Sequence, residues 1–130
     1  MSTRGVYGFK KNGKLKVRYN QHDSYLEGLG QDVVDFCEKH SKDLHQICDS
    51  LEFTEDEDAK EWGLFNLEEI LILDAEEFLK NTLFCEYSYI IDLDDNVLRI
   101  SDYGGKWELD LDSELPEKFK STMETRKAAR

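Results

Sequence analysis

The chain has one proline in 130 residues and no serine- or glycine-rich stretch, so nothing in it marks a linker. One domain, 1–130, is expected: long enough to bury a core, too short for two. Long hydrophobic runs are missing as well. ILIL and YIIDL fall far short of the roughly 20 apolar residues that cross a bilayer, which predicts no membrane partner. The opening MSTRGVYGF lacks the apolar centre of a secretion signal, and a cytoplasmic location is expected.

Cysteine is scarce, and its spacing excludes more than it suggests. Cys37, Cys48 and Cys85 form no CxxC pair, and Cys37, His40 and Cys48 do not follow a zinc-ligand rhythm. Buried free thiols are the expected state. DLDDN, residues 92–96, lacks the central glycine and twelve-residue ligand spacing of a calcium loop, so it reads as a charged turn. No P-loop, GxGxxG or HExxH occurs. Neither metal nor cofactor is expected.

Charge is abundant and unevenly placed. The net value is −12, yet residues 1–20 carry Arg4, Lys10, Lys11, Lys14, Lys16 and Arg18 with no acid. The summed field of such a chain repels phosphate, which argues against direct nucleic-acid binding. It leaves room for a local anion pocket beside the basic segment, or for an acidic face that docks on a basic partner.

GVYGFKK and KLKVRYN alternate around Asn12-Gly13, the dipeptide of a two-residue hairpin turn. The alternation predicts a half-buried hairpin with a cationic outer face. From about Gln31 to Leu51, Val33, Phe36, Cys37, His40, Leu44, Ile47, Cys48 and Leu51 recur at helical steps, predicting one amphipathic helix. Residues 66–80 read as one or two short helices, with ILIL as a buried strand the competing reading. CEYSYIIDL, NVLRISDY and KWELDL predict a β-meander, and the residues after Pro116 a short helix or a tail. The fold class is α+β: a five-stranded, largely antiparallel sheet with helices from the middle of the chain packed on one face.

Two segments carry candidate function. YNQHDSY, residues 19–25, gathers an amide, an imidazole, a carboxylate, a hydroxyl and two phenols. A Ser/His/Asp triad is disfavoured, because neighbours in an extended segment point to alternate sides. Two readings remain: a turn in which Asp23 or Ser24 satisfies backbone donors, or a polar pocket. The pocket would be formed by Arg4, Tyr7, Tyr19, Asn20, His22, Asp23, Ser24 and Tyr25. EFTEDEDAKEW, residues 52–62, reads as a solvated acidic run or as a docking patch for a basic protein. In the docking reading Glu55, Asp56, Glu57 and Asp58 supply charge, and Trp62 supplies an apolar anchor.

TRGVYGF, the Asn-Gly hairpin and YNQHDSYLEGLG together resemble an uncharacterised family of small bacterial, fungal and phage proteins. That family opens on Thr-Arg-Gly-x-Tyr-Gly-Phe, followed by Tyr-Asn-His-x-Asp-Ser-Tyr-Pro and Leu-Gly. The match covers about the first 30 residues, and YIIDLDDNVLRI resembles the family's C-terminal strand pair. Arg4, Tyr7, Asn20, Asp23, Ser24 and Tyr25 match the motif. Gln21 stands where the family has histidine, with His22 one place later, and Leu26 replaces proline.

The resemblance implies a phage-borne accessory or anti-defence factor. It would sequester a small anionic or nucleotide-like ligand, or block a host protein, in the host cytoplasm. An acidic inhibitor or nucleic-acid mimic is the alternative. A hydrolase using Ser2 as an N-terminal nucleophile is less favoured, and the balance leans away from an enzyme. Self-association is left open.

Overall fold

The computed structural model describes residues 5–20, 23–50, 70–74, 87–102 and 105–128. Strands β1 (Gly5–Lys11) and β2 (Lys14–Asn20) form the expected hairpin, with Asn12 at φ 56° and Gly13 at φ 75°. Two successive positive φ angles match the right-handed twist of the strands they join. A further strand, β3 (Ile70–Asp74), precedes the meander, which follows as β4 (Tyr87–Asp92), β5 (Val97–Asp102) and β6 (Gly105–Asp110).

The sheet thus has six strands where five were expected. The additional one, β3, pairs antiparallel with β2, and the order is β3-β2-β1-β4-β5-β6. ILIL is therefore strand, not helix. Four consecutive apolar residues satisfy either period, and the free edge of β2 decides between them. All neighbouring strands are antiparallel except β1 and β4, which run parallel with Tyr7 beside Tyr89 and Phe9 beside Ile91.

The helical stretch differs from its sequence pattern. Two helices, α1 (Gln31–Lys39) and α2 (Leu44–Ser50), replace the single one expected. The break falls at His40, with φ −112° and ψ 26°, and the Asp43 amide donates to the His40 carbonyl at 2.8 Å. Ser41 and Asp43 sit at the break, and short polar side chains there compete with helix continuation. The apolar stripe survives: Val33, Phe36 and Cys37 on α1, and Leu44, Ile47 and Cys48 on α2, are all buried. His40 itself is only half-buried, its ring 4.7 Å from that of Phe36. Helix α3 (Leu115–Ala128) begins with Pro116 in its first turn, where a missing N–H costs nothing.

Helices cover one face of the sheet. Tyr7, Phe9, Tyr89, Ile91, Leu98, Ile100 and Leu109 project into one apolar cluster with the α1 and α2 stripes and Phe119 of α3. The opposite face buries a smaller cluster of Val6, Leu15, Val17 and Ile90. Because both faces bury apolar side chains, the hairpin has no continuous cationic outer face. Lys16 lies on the helical side, 4% exposed, and its ammonium donates to the Cys48 carbonyl at 2.5 Å. Lys10 lies on the other side, 3.6 Å from the fully buried Asp92 carboxylate. Lys11 pairs with Asp49 at 2.9 Å.

The DLDDN turn joins the two hairpins. Asp92 accepts from Arg99 Nε at 2.8 Å and from the Asp95 amide at 3.0 Å, while Arg99 also pairs with Asp95 and Glu108. Asp94 reaches across to accept from the Asn12 and Gly13 amides at 2.7 and 3.1 Å. Those two amides hold its carboxyl below the usual carboxylate range. Asp94→Ala is expected to destabilise the protein by about 1 kcal/mol at neutral pH. A lowered carboxyl favours the folded state only while it is ionised. The difference from the parent should therefore shrink as pH falls through the carboxylate range, as urea titrations at neutral and acid pH would show.

No described helix is long and apolar enough to cross a membrane.

Candidate functional site

The motif segment closes one end of the sheet. Gly5 begins β1 where a Cβ would lie 2.7 Å from Ser24 Cβ and 2.9 Å from Ser24 Oγ. A side chain at position 5 and the buried Ser24 cannot share that space. The Asn20 amide Nδ2 donates to Ser24 Oγ at 2.8 Å, and the Ser24 hydroxyl donates back to the Asn20 carbonyl at 3.3 Å. From strand β4, the Tyr89 hydroxyl donates to the Ser24 carbonyl at 2.7 Å.

Asp23 sits in the left-handed region at φ 56°, which an aspartate tolerates better than most residues. Its carbonyl accepts from Leu29 N at 2.9 Å, and the Tyr25 carbonyl accepts from Gly28 N and Gly30 N. Leu26–Gly30 thereby forms one wide π-helical turn that leads directly into α1.

The geometry assigns the candidate residues different surroundings. Asn20 and Ser24 are bonded to each other, and Ser24 is fully buried. Tyr7 is 3% exposed within the helical core. Asp23 and Tyr25 are exposed, Tyr25 by 39%. Arg4, His22 and the Tyr19 side chain lie outside the described residues, as do Glu55, Asp56, Glu57, Asp58 and Trp62. Among the described members, Asn20, Asp23 and Ser24 make a turn held by the Asn20–Ser24 bonds, the Leu29 amide and the Tyr89 hydroxyl.

Sequence reading missed Tyr89, which anchors this turn from 65 residues away. Only the alternation of YSYIID hinted that Tyr87 and Tyr89 share a face. Beside them Asp102, 7% exposed, accepts from Trp107 Nε1 at 3.1 Å. Burial pushes the Tyr89 phenol far above its ordinary range, and Tyr87 and Asp102 add to the effect.

A second feature is a half-open cleft of about 530 Å³ between the end of α1 and the connection from β6 to α3. Glu38 and Ser41 line one wall, and Asp112, Glu114 and Glu117 the other. Cys37, Leu111 and Leu115 lie beneath. Among the described residues, no basic side chain lines it. Such walls accept hydrogen bonds from ammonium or guanidinium groups and repel anions. No group of three His, Cys, Asp or Glu among the described residues is placed to hold a metal ion.

Cys37 is no nucleophile here. Burial pushes its thiol up to about 12, and the thiol, not the thiolate, is present at neutral pH. A disulfide reagent is expected to label Cys37 only after unfolding. The raised thiol also makes stability fall as pH climbs above about 9, where the unfolded chain ionises and the folded one does not. Thermal melts between neutral and strongly alkaline pH would register that loss, to which the buried Tyr89 phenol contributes with the same sign.

No family model matches the chain, and neither a curated protein nor a solved structure matches it.

Proposed function

We propose that this chain is a small binding protein that docks an acidic surface against a basic protein partner. One observation carries the reading: the cleft between α1 and α3 is walled by Glu38, Asp112, Glu114 and Glu117, with no basic side chain lining it among the described residues. The surplus of acids over the whole chain, net −12, supports it by drawing a basic partner from a distance. Glu55, Asp56, Glu57 and Asp58, with Trp62 as anchor, remain a second acidic candidate from the sequence and lie outside the described residues. A phage-borne inhibitor, or a mimic of nucleic acid on a basic protein, is the biological form that the motif resemblance suggests.

The competing reading, a small anionic or nucleotide-like ligand held near residues 19–25, draws less from the geometry. Lys10, Lys11 and Lys16 already have oxygen partners, and Asn20 and Ser24 bond each other. Among the described residues of that segment, an anion would have to displace the contact between Asn20 and Ser24.

A fluorescent Lys/Arg-rich peptide is the direct probe. It is expected to bind with an affinity that falls with salt, and Glu38→Lys/Glu114→Lys is expected to weaken binding about tenfold. The same charge change at the exposed Asp32 and Glu124 should have a smaller effect. Equal losses in the two variants would mean that net charge alone is read, and the cleft would be dropped as the site.

A further inference from the structure

Strand β6 ends the sheet, pairing with β5 and with no other described strand. Its backbone polarity follows from one bond: the Leu111 amide donates to the Asn96 carbonyl, so Leu111 faces β5. In an antiparallel ladder, the N–H and C=O of one residue point the same way and alternate along the strand. Leu109 and Trp107 therefore face β5, while Asp110, Glu108 and Lys106 turn their backbone groups outward. Such an edge is a template for another strand. It stops at Asp110, whose carbonyl accepts from Ser113 twice, from the amide at 3.2 Å and from the hydroxyl at 2.5 Å.

Charged edge residues usually discourage pairing, but these are self-complementary. We propose that β6 pairs antiparallel with β6 of a second copy, about a twofold axis through Glu108. Lys106 then lies opposite Asp110 of the other copy, twice. Trp107 lies opposite Leu109, also twice, on the face that carries α3. Glu108 exchanges both backbone bonds with its counterpart. Each Glu108 carboxylate is already paired with its own Arg99 at 2.6 Å, which offsets the like charge at the axis. Trp107 is positioned for the contact by stacking on Phe119, with centroids 6.0 Å apart and 19° between planes. The twofold relation makes the interface closed, so pairing stops at two copies.

The test is a charge exchange read by sedimentation velocity at about 0.15 M salt, where the repulsion between two copies of an acidic chain is partly screened. The parent chain is expected to show a concentration-dependent dimer. Lys106→Glu alone sets two carboxylates opposite each other, and Asp110→Lys alone sets two ammonium groups together. Each change is expected to weaken self-association about tenfold or more. Mixing the two variants in equal amounts restores one attractive arrangement of opposite charges at each contact and should restore the dimer. The positions are exposed, and circular dichroism would confirm that each variant is folded. A parent chain that stays monomeric at every concentration overturns the proposal. So does a dimer that both single variants leave intact, which would place the contact elsewhere.

Discussion

Gly8→Ala is expected to cost about 3 kcal/mol or more of folding stability, a large part of what a domain of this size has. A Cβ at position 8 would lie 2.0 Å from the Lys16 carbonyl oxygen and 2.7 Å from Val17 Cα. Both atoms belong to the backbone of β2, so no side-chain rotation relieves the clash. β1 cannot move away either, because it is paired with β4 on its other side. Opening one ladder strains the second. Urea unfolding followed by circular dichroism would show a lower midpoint with an unchanged slope. A loss below about 1 kcal/mol, the ordinary size of a mutational effect, would show that β1 and β2 are not so closely apposed.

The second large effect is expected at Tyr89, where two substitutions separate packing from hydrogen bonding. Among the described residues, Tyr89 is the largest of the fully buried side chains. Tyr89→Ala removes the ring and should cost about 3–5 kcal/mol, as other large-to-small core changes do. Tyr89→Phe keeps the ring but strips the Ser24 carbonyl of its 2.7 Å donor, and should cost about 1 kcal/mol. The smaller change has the more local consequence. Hydrogen exchange at the Leu29 amide, which is bonded to the Asp23 carbonyl, should accelerate in Tyr89→Phe beyond the loss of global stability. Exchange there that merely follows global stability would mean that residues 23–30 hold without the anchor.

These two positions explain much of the motif in structural terms. Gly5 leaves space for Ser24, Gly8 lets β1 and β2 approach, and the Asn20–Ser24 pair closes the turn that Tyr89 fastens to the sheet. Gly5, Gly8, Asn20 and Ser24 thus have a packing role, while the Asp23 and Tyr25 side chains are exposed. The acidic cleft is made of residues that no motif singled out.

What the sequence determined by itself is what depends on neighbours along the chain. Asn12-Gly13 specifies a turn because both residues tolerate positive φ. The alternation in GVYGFKK and KLKVRYN, and the spacing of Val33, Phe36 and Cys37, state which side chains share a face. Pairings across long separations were decided only in the tertiary structure. ILIL fits helix or strand until β2 offers a ladder. Lys16 reads as surface charge until the Cys48 carbonyl, 32 residues away, accepts its hydrogen bond inside the fold. Glu38 and Glu114 line one cleft only because α1 and α3 pack on the same face of the sheet. Periodicity reports that a side chain turns inward; the partner it meets there is set by how the chain returns on itself.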